Sequence, residues 1–268
     1  MRRLLLPLGL SFLPACLVPP GNTITADISV DAATQYNRRG MPQNKRGVLQ
    51  PGLSLHLPTS TEGTLHLTTW GNLDLQNEVG HAWYPDGNAL RFSEIDYIAA
   101  YEQNYGQTNV KYGVHNYNVP RGDRFPFGVR GATVELFGRA EYDFLNSWFP
   151  FVELRLDIDE AEGFYGLAGV AKQFPIQDKL TFEAETSIAY IDSKQAFWEY
   201  AVKASGMADW RVTAKLFYQY DDATRFTLLG AWSSMIGEGL GGEFRDDFDN
   251  NKIDADNAWL SMGVAWSY

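Results

Sequence analysis

Leu260-Ser261-Met262-Gly263-Val264-Ala265-Trp266-Ser267-Tyr268 sets a large apolar or aromatic side chain at every second position and a small residue between each pair. Successive side chains of a strand point to opposite faces, so this spacing makes a ribbon with one greasy face and one narrow one. At the helical period the same five large side chains would be scattered around the axis.

The same two-faced text runs upstream. Ile28, Val30 and Ala32 alternate with Asp27, Ser29 and Asp31, and Leu53, Leu55 and Leu57 with Ser54 and His56. Leu65 and Leu67 oppose His66 and Thr68; Ile95, Tyr97 and Ala99 oppose Glu94 and Asp96; Val110, Tyr112 and Val114 oppose Lys111 and His115. Further on, Val134 and Leu136 oppose Glu135 and Arg139; Val152, Leu154 and Leu156 oppose Glu153, Arg155 and Asp157; Val212, Ala214 and Leu216 oppose Arg211 and Lys215.

Short connections (58–63, 102–106, 174–179, 206–209) alternate with long ones (76–92, 119–130, 221–256). That asymmetry predicts an all-β, up-and-down antiparallel transmembrane barrel of about 12 strands, an even number as such barrels require. Phe226 to Trp232 is assigned to the long last loop, because counting it as a strand needs a partner and raises the total to about 14.

Arg2 and Arg3 precede an apolar run from Leu4 to Leu13, the layout of a secretory signal peptide, so residues 1–21 are assigned to a leader and 22–268 to the barrel. That run is too short to span a bilayer, and nothing after it approaches the roughly 20 apolar residues of a membrane helix. The single cysteine, Cys16, leaves the body without a disulfide or a thiolate metal site. Leu13-Pro14-Ala15-Cys16 resembles a bacterial lipobox, in which the cysteine is acylated; ordinary cleavage between Ala15 and Ala26 is the alternative. A net charge of -11 with no basic stripe excludes nucleic acid as a partner.

Leu260, Met262, Val264, Trp266 and Tyr268 resemble the C-terminal signal by which outer-membrane proteins are delivered to the barrel-assembly machinery. Two further patches resemble TorF-family porins: Tyr36 to Met41 with Arg39 and Gly40 at its centre followed by Gln50-Pro51-Gly52-Leu53, and Glu94-Ile95-Asp96-Tyr97 followed by Val110 to Val114. The resemblance implies an outer-membrane barrel, lipid and small solutes as partners, and no cofactor. MipA-type scaffold barrels, which bind periplasmic cell-wall enzymes, are the more distant likeness and imply a non-conducting alternative.

With the apolar face toward lipid, the polar face turns inward. Its acidic members are Asp27, Asp31, Asp74, Glu94, Asp96, Glu135, Glu141, Glu153, Asp157, Glu183, Glu185 and Glu199, against the basic Lys111, Arg139, Arg155, Lys203, Arg211 and Lys215. An open pore so lined favours cations. A narrow one fills instead with cross-strand ion pairs, Arg139 and Arg155 meeting Glu153 and Glu135.

His56 and His66 lie symmetrically about the 58–63 turn and are read as polar lining, since no carboxylate at ligand spacing joins them. Asp247, Asp249 and Asn251 start like a calcium loop, but Lys252 and Ala258 stand where glycine and the bidentate glutamate belong. An enzyme is not expected: a triad needs Ser, His and Asp at one rim, and no serine motif accompanies His56, His66, His81 or His115.

Overall fold

The computed structural model describes residues 23–59, 62–76, 89–118, 132–200, 202–236 and 256–268. The leader with Cys16, His81 and the Asp247–Asp249–Asn251 group lie outside these residues. Its strands are β1 (Thr25–Ala33), β2 (Tyr36–Arg38), β3 (Met41–Asn44), β4 (Val48–Pro58), β5 (Thr64–Asp74), β6 (Arg91–Tyr105) and β7 (Thr108–Asn118). They continue with β8 (Ala132–Tyr142), β9 (Trp148–Asp157), β10 (Phe164–Gln177), β11 (Leu180–Ile191), β12 (Gly206–Gln219), β13 (Thr224–Met235) and β14 (Asp256–Ser267), with one helix, α1 (Ser193–Tyr200). No described helix is long and apolar enough to cross a membrane.

β1 and β4 to β14 form a closed antiparallel barrel of twelve strands, each paired to its neighbour in sequence order. The quoted terminal strand seals it. Ile28 lies opposite Trp266, Val30 opposite Val264 and Ala32 opposite Met262, and Tyr268 exchanges backbone bonds of 3.0 and 2.8 Å with Ala26. Closure leaves no strand edge unpaired, which hydrocarbon requires because it offers backbone groups no alternative partner. β1 also pairs β4, with Thr25 opposite His56.

The apolar residues of the alternating pattern face outward and stand exposed, among them Ile28, Leu53, Val152, Leu154, Ile188, Leu228, Leu260 and Met262. The turns 59–63, 106–107, 143–147, 178–179 and 220–223 gather at the end where β1 begins and β14 ends, and 158–163 is the one comparably short connection at the other. At the opposite end the chain between β1 and β4 makes the separate β2–β3 hairpin, and the chain between β11 and β12 makes α1.

Asp192 starts α1: its carboxylate accepts from the Gln195 N–H at 2.8 Å, and its carbonyl from the Ala196 N–H at 2.9 Å. Met41 of the hairpin and Ala196 and Tyr200 of the helix pack with Tyr165, Ile191, Ala208 and Met235 of the wall into one buried apolar cluster.

The expected strand number holds, but through a different assignment. Phe226 to Trp232 is not loop; it lies within β13, which pairs β12 and β14 along its length. Its alternation is hidden because Leu229 and Ala231, on the inner face, are as apolar as Phe226, Leu228 and Trp232 outside.

Gly206 to Asp209 is not a turn but the start of β12, and the segment before it is α1. Glu199 therefore sits on a helix. Lys203, itself exposed, lies in the connection between α1 and β12, with its ammonium 5.0 Å over the Phe197 ring, and not on the barrel wall. An eight-residue helix is too short for its period to stand out from an alternating one.

Candidate functional site

Two consecutive arginines on the β2–β3 hairpin organise the interior. Arg38 reaches Glu94 of β6 at 3.4 Å and Glu199 of α1 at 3.2 Å. Its guanidinium lies 4.2 Å over Tyr117 and 4.9 Å over Trp198. Arg39 forks between Glu199 and Glu135 of β8 and stacks 4.5 Å over Tyr165. A rigid fork of donors suits this bridging role, which a lysine point charge could not reproduce.

Burial alone would push both guanidinium groups down. Glu199 and Glu94 around Arg38, and Glu135 and Glu199 around Arg39, outweigh it and hold both well above the usual arginine range.

The same groups bind the hairpin on every side. Tyr36 donates to Glu94 at 2.8 Å. Tyr200 donates to the Arg39 carbonyl at 2.6 Å. Ser233 and Asn257 donate to the Gly40 carbonyl at 3.1 and 3.3 Å. Contacts from β6, β8, α1, β13 and β14 thus converge on 36–40, and the Tyr36–Gly40 and Glu94–Tyr97 patches, more than fifty residues apart in sequence, meet through Tyr36–Glu94 and Arg38–Glu94.

Gly40 has a φ of 80°, and a Cβ there would stand 2.5 Å from the Asp209 Cβ and 3.0 Å from the Met235 sulfur. The left-handed backbone by itself costs a larger residue about 1–2 kcal/mol. Gly40→Ala is therefore expected to loosen the hairpin and speed tryptic cleavage after Arg38 and Arg39 in the folded barrel. An unchanged cleavage rate would show that the tip tolerates the methyl group.

The other inner-face candidates divide by depth. Toward the hairpin end, Glu135, Asp74 and Asp209 are fully buried. Asp74 takes hydrogen bonds from Asn72 and Ser93, Asp96 pairs His115 at 2.9 Å, and Asp209 meets Arg211 at 3.3 Å.

Toward the short-turn end the pairs are wetter. Lys111 meets Glu102 at 3.4 Å with side chains 36% and 32% exposed, and Arg139 meets Glu141 at 2.9 Å at 29% and 33%. Arg139 also reaches Glu153 at 3.5 Å, Arg155 reaches Glu153 at 2.6 Å and Glu135 at 3.4 Å, and Lys215 bridges Glu183 at 2.8 Å and Glu185 at 3.6 Å. Tyr97, next to Asp96 in the chain and on the opposite face of β6, is 54% exposed on the outside.

Sequence reasoning missed the inward fold of the hairpin. The Arg38-Arg39-Gly40 run in the connection between β1 and β4 was the available signal, because adjacent arginines before a glycine turn have no place on a lipid-facing wall.

No protein-family model matches the chain, and no curated protein matches it in sequence. Solved structures do. The NanC porin superposes with a TM-score of 0.53 at 10% identity, over 89% of this chain and 98% of that one. An outer-membrane channel from Pseudomonas putida F1 gives 0.52 at 10% identity, over 94% and 97%.

The fold is that of an outer-membrane β-barrel. At such low identity the likeness carries architecture alone, and the TorF resemblance rests on the two motif patches. In that architecture the apolar side chains stand on the outer face and the paired charges line the enclosed space.

Proposed function

We propose that the protein is an outer-membrane channel for small hydrophilic solutes or ions, open to water from the short-turn, periplasmic end and narrowed toward the other by the β2–β3 hairpin. The observation that carries this reading is the gradient of exposure along one charged wall, from Lys111 and Glu141 at 36% and 33% to Glu135 at 0%. A barrel built only as a solid scaffold has no reason to hold half-exposed ion pairs inside one end, whereas an aqueous vestibule needs charges that water can reach.

Lys111, Arg139 and Lys215 at that end each have a carboxylate beside them, so the vestibule is a mixed-charge lining, and the surplus of carboxylates favours cations over anions. No step of the reading calls for catalysis or a cofactor. Delivery to the membrane is assigned to the Leu260–Tyr268 strand through the barrel-assembly machinery, after removal of residues 1–21.

Planar-bilayer recording of the refolded barrel tests the channel. Discrete cation-preferring conductance steps are expected, and correctly inserted protein that passes no current would remove the reading. The buried, ion-paired Arg38–Arg39 cluster favours one competitor, a closed barrel of the MipA-like scaffold kind; silence in the bilayer together with stoichiometric capture of a periplasmic cell-wall enzyme would establish it.

A further inference from the structure

The inner wall has two unlike sides. On β7 to β9, β11 and β12 it carries long charged side chains tied to partners, such as Arg139 with Glu153 and Lys215 with Glu183. Next to these pairs Phe151, Ser187 and Thr213 are buried. On β13, β14, β1 and β4 the inward positions are short instead: Thr227, Ser261, Gly263, Ala265, Ser29 and Gly52. All six are partly open to water. Side chains that reach far inward on one side and stop short on the other leave their free space beside the short ones.

Asp31 of β1 stands on that short-chain side, about 13 Å along the strand from Asp27 at the mouth and just before the chain turns toward the hairpin. Its neighbours in register are Gly263 of β14 and Gln50 of β4. A Cβ on Gly263 would collide with the Asp31 carboxylate, so only glycine lets that group lie against β14, and glycine offers it no side-chain partner. The Gln50 amide is engaged elsewhere and donates to Asn72 at 2.9 Å. Among the described residues Asp31 makes no hydrogen bond or ion pair. Asp27, Glu102, Glu141 and Glu185, by contrast, each meet a histidine, lysine or arginine. Nearer the mouth the exposed Arg225 acts on Asp27, and those two charges offset each other.

We propose, resting on the channel function above, that ions pass along the β13–β14–β1–β4 side of the lumen and that Asp31 sets their charge preference, selecting small cations. A carboxylate beside a guanidinium or ammonium acts on a passing ion as a dipole, whose field dies away faster than that of a single charge. Asp31 keeps its whole charge. At about 4 Å in water a unit charge favours a cation by about fivefold and disfavours an anion by the same factor. Salt screens this effect, since the Debye length falls from about 10 Å at 0.1 M to about 3 Å at 1 M. The preference is therefore expected to be marked in dilute salt and weak in concentrated salt.

The test is the reversal potential of the full refolded barrel in planar bilayers under a dilute potassium chloride gradient. Wild type is expected to prefer potassium, Asp31→Asn to lose about fivefold or more of the cation-to-anion permeability ratio, and Asp31→Lys to prefer chloride. Asp31→Cys, with Cys16, the only cysteine of the chain, replaced by serine, carries the comparison if Asp31→Asn does not fold as judged by heat-modifiable migration. A negatively charged methanethiosulfonate should return its potassium preference, and a positively charged one should reverse it. An unchanged reversal potential in Asp31→Asn, with wild type still preferring potassium, would overturn the role of Asp31 and leave the channel standing. Failure of Asp31→Cys to react with either water-soluble reagent would overturn it by placing the residue outside the aqueous path. Inserted wild-type protein that passes no current would remove the channel itself, and the selectivity with it.

Discussion

Arg38→Ala/Arg39→Ala is expected to raise the single-channel conductance of the barrel several-fold while leaving the barrel itself folded. The two guanidinium groups are the only links between the hairpin and Glu135 and Glu199 that the described residues show, and each carboxylate is almost wholly out of water. Breaking a buried pair from one side costs about 3–5 kcal/mol, because the remaining charge is stranded.

What stays to hold the hairpin is Tyr36 to Glu94, Tyr200 to the Arg39 carbonyl and Ser233 and Asn257 to the Gly40 carbonyl, with Met41 packed in the apolar cluster. Each neutral bond contributes about 0.5–1.5 kcal/mol. Leaving Glu94, Glu135 and Glu199 stranded together outweighs these contacts, so water enters the cluster and the hairpin leaves the lumen. The wall survives because β2 and β3 pair only with each other and take no part in its ladder. Conductance of the double variant equal to wild type, in protein that keeps its heat-modifiable migration, would mean that the hairpin is not the constriction.

Leu228→Arg is expected to destabilise the barrel by about 2–4 kcal/mol in urea-driven unfolding from lipid vesicles, the cost of an arginine on the lipid face near mid-bilayer. Leu228 lies near the centre of β13, 50% exposed, with Leu216 and Met262 beside it on the neighbouring strands. Thr227→Arg, one position earlier, should cost far less. Its side chain turns inward, next to Gly263, whose face is covered by the Asp31 carboxylate, so an arginine there meets an acid instead of hydrocarbon. Equal effects of the two substitutions would contradict the facing of β13, and a negligible effect of Leu228→Arg would place that strand outside the membrane.

The two strands at the end of the chain show why one was legible and the other was not. β14 reads as a strand because its inner face is Ser261, Gly263, Ala265 and Ser267, small against the large outward set, so the alternation survives in the letters. β13 hides because Leu229 and Ala231 face inward beside Lys215 and Thr213 yet are themselves apolar, and a strand greasy on both faces has no period to detect. The strand count nevertheless agreed, since one strand was lost there and one was supplied where α1 stands.

The inner-face pairs between β8 and β9 were legible for the converse reason: Arg139 lies directly opposite Glu153, and Arg155 lies on the diagonal from Glu135, so register brings them together. Arg38, Arg39 and Glu199 come from connections, whose direction no periodicity states, so the plug could not be read, although Glu94 and Glu135, its partners on the wall, were already assigned to the inner face.

Alternation by itself determined a closed, outward-apolar barrel, because a period of two fixes which side chains share a face and a greasy outer face in a closed sheet has only lipid to meet. The tertiary structure decided what the barrel encloses. Asp27 reaches His56 across 29 residues, and Arg39 reaches Glu199 across 160. Such meetings depend on strand stagger and on a hairpin turning inward to neutralise buried charge, and these are properties of the assembled wall that no local pattern contains.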